Sequence, residues 1–464
     1  MLPAAVVKYL EDHHEQFLAK LFELLEIPSV ANVKADPDPC GLCADWLADY
    51  LRNLGLDAEV VPAEGKPNVL ASAQVSADAP TLLVYGHYDV QPPEPLELWK
   101  SDPFEPVIRD GCIYARGADD DKGQLFAHLM AIEAWQRAGG GLPVNLKLFL
   151  EGEEEVGSPD LEAFMARMAD RLAADACLIS DSAFFTEGLP SITYALRGLA
   201  YLELKLNGPA ADCHSGVNGG AVANPINGLA RMIAAMHDDD GRVTIPGFYD
   251  DVLPLTQAER DEWAKLPFDE AKYAASLGLT ELAGGERGYS VMERGWARPT
   301  LDCNGIVGGY TGVGSKTIIP AQASAKISMR LVASQDPRKI VEGFREFIAR
   351  HTPPGLKAEM KVNAEARPVM LPTDSPVTRA ARAALERAFG AKVAMIRCGA
   401  SVPVTELIQR LLGLDAVLMG FGLPDDNLHA PNERFPVEHL WRGAIASAEF
   451  MGNLRELGQS ARRK

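Results

Sequence analysis

The sequence predicts an α/β protein with a central, mostly parallel sheet, interrupted by a smaller inserted α+β domain. Three observations predict it. Short, nearly continuous apolar runs, NVLASA from Asn68, TLLVYG, VNLKLFL and ACLIS, alternate with helical patterns up to about residue 192, as strands buried on both faces of a parallel sheet do. Between about residues 193 and 370 the pattern shifts towards apolar–polar alternation, the mark of strands with one solvated face. From about residue 371, SPVTRAARAALERAFG and AVLMGFG restore helix and buried-strand patterns. Residues 371–464 are therefore expected to complete the domain begun by residues 1–192, with 193–370 inserted between them.

Taken in order, the first thirty residues read as an amphipathic helix with charges throughout, and they lack the basic and apolar regions of a secretory signal. Cys40 and Cys43 form a lone CxxC with no second pair at zinc-finger spacing, which favours a helix entry with reduced thiols. GQLFAHLMAIEAWQRA carries apolar residues at helical spacing and is stopped by Gly139, Gly140 and Gly141. Inside the insertion, ALRGLAYLELKLNG, ASAKISMRLVA and LKAEMKVNA read as strands, with PINGLARMIAAMH and IVEGFREFIARH as helices between them.

The chain has 464 residues, more than one hydrophobic core usually organises, and an ordinary apolar share of 47%. No window holds the roughly 18 uninterrupted apolar residues of a membrane span. A formal net charge of −19 argues against nucleic-acid binding, which needs basic surface to displace phosphate counterions. It is compatible with binding cations. Seven scattered cysteines fit a reducing compartment, so a cytoplasmic location is expected.

Acidic and histidine clusters follow the strand-like runs, where ligands of an open α/β sheet gather. His87 and Asp89 lie just beyond TLLVYG; a histidine there can bind metal while a carboxylate holds its other nitrogen. Asp119, Asp120 and Asp121 end a Gly-rich loop before a helix. Helix capping explains them as well as bridging of two cations does. Glu153, Glu154 and Glu155 follow the next strand, either as a solvated acidic turn or with one glutamate a ligand and its neighbour a general base. Asp181 ends ACLIS, and His429 lies in the polar loop FGLPDDNLHAPNE. Each is individually compatible with a structural role, but five such groups after successive strands point to a hydrolytic metal centre.

These motifs, GHYDVQPP, ARGADDDKG, EGEEEVGS, ISD and NLHAPNE, resemble in order those of the di-zinc metallopeptidases that include carnosinase-type dipeptidases, aminoacylases, glutamate carboxypeptidases and desuccinylases. The resemblance spans almost the whole chain and is closest to the carnosinase-type branch. It implies a zinc-peptidase catalytic domain and a ferredoxin-like lid and dimerisation domain. It also implies two divalent cations per subunit, Zn²⁺ first and Mn²⁺ as the other option. By motif, His87 and Asp181 resemble the terminal ligands of one cation, Glu155 and His429 those of the other, and Asp120, before Asp-Lys-Gly, the bridge. Asp89 resembles the residue that orients His87, and Glu154 the general base for a water between the cations. A cis peptide after Asp120 is implied as well.

In the insertion, His214 of DCHSGVNGG, Thr317 of GSKTIIP and Arg330 of ISMRLV would by themselves pass for loop and surface residues. The resemblance makes His214 an oxyanion donor reaching the partner subunit of a homodimer, and Thr317 and Arg330 binders of a substrate carboxylate, a role suited to a guanidinium fork. In RCGASVPVTE, Gly399 and Ser401 match the related Arg-Glu-Gly-Gly-Ser-Ile-Pro, while Cys398 and Ala400 depart from it. The missing glutamate removes a negative charge that could recognise a substrate amine. The expected activity is dipeptide hydrolysis. N-acyl-amino-acid deacylation on the same centre is the alternative, and a catalytically silent binding or dimerisation protein the reading outside enzymology.

Overall fold

The computed structural model describes residues 2–400 and 402–461. The chain forms two compact units: Met1–Tyr194, Leu371–Ile396 and Val402–Lys464 make the first, Ala195–Met370 and Arg397–Ser401 the second.

The sheet of the first unit runs Asp57–Val61, Asn68–Ala73, Asn145–Glu151, Thr81–His87, Ala176–Ile179, Asp415–Leu418, then Ser191–Leu196. Its centre is parallel: Thr81–His87 pairs in parallel with Asn145–Glu151 and with Ala176–Ile179, which pairs in parallel with Asp415–Leu418. On either side the pairing turns antiparallel, so the sheet is mixed. The apolar runs could report burial on both faces but not strand direction; NVLASA is buried over its first four residues yet antiparallel to both neighbours.

The apolar helix Lys122–Ala138 is buried along most of its length. Its first turn closes on the aspartate loop because Gly123 has no side chain: a Cβ there would meet the Ala118 carbonyl oxygen at 1.9 Å. Trp135 Nε1 donates to the Ala448 carbonyl at 3.0 Å, tying this helix to Val437–Ala461. At the N-terminus the expected single helix is two, Ala4–Asp12 and His14–Leu25, broken at His13, whose ring Nδ1–H donates to the Tyr9 carbonyl, 2.8 Å away. Cys40 and Cys43 sit buried and free at the start of Pro39–Asn53. A small sheet joins Arg434–Pro436, Cys112–Tyr114 and Val107–Arg109, placing the C-terminal segment beside the entry to the aspartate loop.

The second unit carries an antiparallel sheet in the order Thr300–Gly308, Gln322–Leu331, Gly198–Asn207, Lys357–Ala366. With helices Pro225–Ala234 and Pro337–His351 the chain order is βαββαβ and the topology ferredoxin-like. Gly198–Asn207 alternates buried and half-buried residues along its whole length. Leu202, Leu204 and Leu206 pack with Ile327, Met329, Phe344 and Phe347 in the core of this unit.

Candidate metal centre

Three parallel strands of the first unit end in the same region and deliver His87, the Glu153–Glu155 turn and Asp181 to it. His87, the last residue of its strand, is fully buried. Its Nε2 lies 3.0 Å from Oδ1 of Asp120, while Oδ2 of Asp120 lies 2.9 Å from Nε2 of His429. His429 Nε2 is in turn 3.3 Å from Oε2 of Glu155. Ligand atoms of His87, Asp120 and Asp181 all fall within 4.8 Å of one another, and so do those of Asp120, Glu155 and His429. Asp120 is common to both groups. Its two neighbours face elsewhere: Asp121 Oδ2 accepts from the His87 amide at 3.2 Å, and Asp119 is buried with neither oxygen hydrogen-bonded among the described residues. The Asp120–Asp121 peptide is cis.

This donor set fits a pair of divalent cations. Burial works against a charged Asp120, but hydrogen bonds from His429 and His87 outweigh it and hold the carboxyl below the usual range. The same contacts, from Asp120 and then Glu155, raise His429 to about 10. Burial, with Asp120 adding, pushes Asp181 up to about 7. Burial also lifts Glu154 to about 9 against the attraction of His87, with the neighbouring carboxylates Asp181, Asp120 and Glu155 adding to the rise. The imidazolium protons between these carboxylates stand where positive charge is needed, and mixed imidazole and carboxylate donors suit Zn²⁺ or Mn²⁺.

Asp89 does more than the sequence suggested. His87 Nδ1 is 3.1 Å from the Asp89 carbonyl oxygen and 3.5 Å from its carboxylate. The carboxylate itself accepts from the amides of Glu154 and Glu155 at 3.1 and 3.0 Å, fixing the turn that carries both glutamates. Gln91, passed over in the sequence, donates from Nε2 to Oε2 of Glu155 at 2.8 Å. Glu433 and Arg116 were also passed over, though both sit inside the quoted motifs or beside them; Glu433 accepts from the amides of Gly117, Asp119 and Asp120.

In the second unit, His214 lies in the short pair Cys213–His214 with Ile318–Ile319, next to Thr317. Its Nδ1 accepts from the Gly216 amide at 3.0 Å, which leaves the proton on Nε2. Arg330 is half-buried on the four-stranded sheet, opposite Leu199 and Thr300. Arg197 donates from Nε to the Gly399 carbonyl at 3.2 Å and from its amide to that of Ala400 at 3.1 Å. Ser401 lies outside the described residues.

Residues 83–453 match the model of Peptidase family M20/M25/M40. The chain belongs to this family. It is 32% identical to the Cys-Gly metallodipeptidase DUG1 of Candida albicans over 94% of this chain and 93% of that protein. It is 29% identical to the Beta-Ala-His dipeptidase of Homo sapiens over 97% and 92%. Among solved structures, the M20 family metallo-carboxypeptidase Sso-CP2 from Sulfolobus solfataricus superposes with a TM-score of 0.85 at 35% identity, over 95% of this chain and 99% of that one. The chain is thus a metal-binding hydrolase acting on peptide bonds. Among the described residues no helix is long and apolar enough to cross a membrane.

Proposed function

We propose that this M20 peptidase hydrolyses dipeptides with two divalent cations per subunit, Zn²⁺ in the first place and Mn²⁺ as a substitute. The observation that carries the reading is Asp120, whose two carboxylate oxygens each face one histidine nitrogen. His87 and Asp181 would complete one cation site, Glu155 and His429 the other. Two cations bound there lower the pKa of water and polarise the scissile carbonyl.

The chain's own residues supply the rest. Glu154, placed by the Asp89 carboxylate, takes a proton from the attacking water and returns it to the leaving amine. His214, with its proton on Nε2, serves as donor to the tetrahedral oxyanion across a homodimer interface, and Thr317 and Arg330 bind the substrate carboxylate. The second unit acts as lid and dimerisation domain; exposed Ile306 and Val307 on its edge strand Thr300–Gly308 support pairing with a second copy. Gly399 and Ala400 line the substrate. Seven free thiols support a cytoplasmic setting.

Cys398 in place of an acidic residue, together with the likeness to a metallo-carboxypeptidase, favours one second reading: tolerance of substrates without a free amine. The test compares free dipeptides, N-blocked dipeptides and N-acyl amino acids on chelated protein resupplied with Zn²⁺ or Mn²⁺. Turnover of free dipeptides, at least tenfold above the others, is expected; preference for the N-blocked compounds would transfer the assignment to carboxypeptidase or deacylase. For the dimer, mixing His214→Ala with Asp120→Ala subunits should restore activity. Silence after proven subunit exchange would remove His214 from the partner's site.

A further inference from the structure

Glu433 follows His429 by four residues and is completely buried. Its Oε1 accepts from the amides of Asp119 and Asp120 at 3.0 and 3.1 Å. Its Oε2 accepts from the Gly117 amide at 2.9 Å and from Nη1 of Arg116 at 2.7 Å. Arg116 is itself 1% exposed, and its Nη2 reaches the carbonyls of Ala430 and Pro92, each at 3.4 Å. One ion pair therefore ties the backbone that presents Asp120 to the residue after His429.

That second loop needs a tie. Asn427, His429 and Asn432 all have left-handed backbones, with φ of 57°, 59° and 64°, a conformation that asparagine tolerates but that disfavours a residue as large as histidine. Asn432 is pinned on its outer side, accepting from the Lys100 amide at 2.9 Å and donating to the Leu98 carbonyl at 2.8 Å. Just beyond, Arg434 and Phe435 pair with Tyr114 and Ile113 on the strand that leads into the aspartate loop. A buried ion pair is poor value for stability alone, since apolar packing of the same volume does as well. All four hydrogen bonds to Glu433 come instead from the Asp120 loop and the arginine at its entrance.

We propose that Glu433, held by Arg116, is a positioning residue that sets the separation of His429 from Asp120 and so tunes the affinity of the cation site made by Asp120, Glu155 and His429. The proposal rests on the ligand roles given above to Asp120 and His429. In Glu433→Gln one oxygen becomes an NH₂ donor, and because every partner is an N–H donor, no rotation of the amide satisfies them all.

The test titrates chelated protein with Zn²⁺ against a chromophoric chelator, well below the unfolding temperature, and records the absorption spectrum of the Co²⁺-saturated form. Glu433→Gln is expected to weaken the site made by Asp120, Glu155 and His429 about 10- to 100-fold, to alter the saturated Co²⁺ spectrum, and to lower kcat with little change in KM. Arg116→Lys, which keeps the charge but loses the fork to Ala430, should shift affinity in the same direction by less, and it decides the matter if Glu433→Gln does not fold. Asp120→Ala is the control for the underlying reading: retention of both cations there would overturn the ligand roles. Loss of cation in Asp120→Ala, with affinity within twofold of wild type and an unchanged Co²⁺ spectrum in the folded Glu433 or Arg116 variant, would overturn the positioning role alone.

Discussion

Glu154 and Glu155 are adjacent in sequence but differ in their surroundings, and the difference separates their roles. Glu155 is gripped by Gln91 and lies within reach of His429, whereas Glu154 is pushed up to about 9 by burial and the nearby carboxylates. Glu154→Gln preserves shape and removes proton transfer. We expect kcat to fall about 10²- to 10⁴-fold, with bound metal, counted by elemental analysis of the purified protein, unchanged. Metal loss equal to the activity loss would make Glu154 a ligand instead. The sequence could propose this division because the two glutamates share a motif with known precedents. It could not show that Asp89 holds both of their amides, because that contact depends on how two loops fold back on each other. Glu433 and Arg116 escaped for a related reason: a carboxylate whose partners are backbone amides leaves no residue-type pattern in the chain.

At the scale of elements, strands and helices were legible wherever an apolar period was strong, as in Gly198–Asn207 and Lys122–Ala138. The antiparallel direction of Asn68–Ala73 and the break at His13 were not, since neither changes the period. The helix Lys122–Ala138 also hides a polar link. His128 is fully buried between Ser447 and Ser180, at 2.9 and 2.8 Å. Ser180 donates to the Met419 carbonyl at 2.6 Å, so His128 Nε2–H donates to Ser180 and Nδ1 accepts from Ser447. This fixes the strand end just before Asp181. Burial lowers the His128 pKa to about 3, so between its unfolded value near 6.5 and 3 the unfolded chain binds more protons and stability falls as pH falls. Going from pH 7 to pH 5 should cost the chelated protein about 2 kcal/mol through this residue. Urea unfolding of His128→Gln at both pH values checks it: the variant should be less stable at pH 7 yet lose that much less on acidification. Parallel losses in the two proteins would assign the acid sensitivity elsewhere.

For the whole molecule, the charge balance sets an opposite, alkaline limit that cations should remove. The chain carries a net charge of −19, and its centre gathers carboxylates that ordinary folding would keep apart. In the chelated protein Glu154 and Asp181 have folded pKa values of about 9 and about 7, above their unfolded values near 4.3 and 3.9. For such groups the folded state binds more protons, so the stability they contribute is present at low pH and is lost as pH rises through the folded pKa. His429, raised to about 10, is lost in the same direction, its contribution being complete below about 6.5. Asp120 is lowered and acts oppositely, but its window lies below about pH 4. Asp181 has given up most of its share by pH 7, but Glu154 and His429 titrate above neutrality with the same sign: chelated protein should lose Tm steadily from pH 7 to pH 9, buried Glu154 costing up to about 1.4 kcal/mol per pH unit and the more exposed His429 less because solvent screens it. Bound divalent cations replace the protons as counter-charge, so the loaded protein should show a higher Tm and a flat profile over the same range. Calorimetric scans of chelated and Zn²⁺-loaded protein at pH 7, 8 and 9 measure the difference. A Tm gap that widens with pH is the expected result. A gap that stays constant would mean that the carboxylates and histidines of the centre are not what the cations neutralise, and would count against the ligand set as a whole.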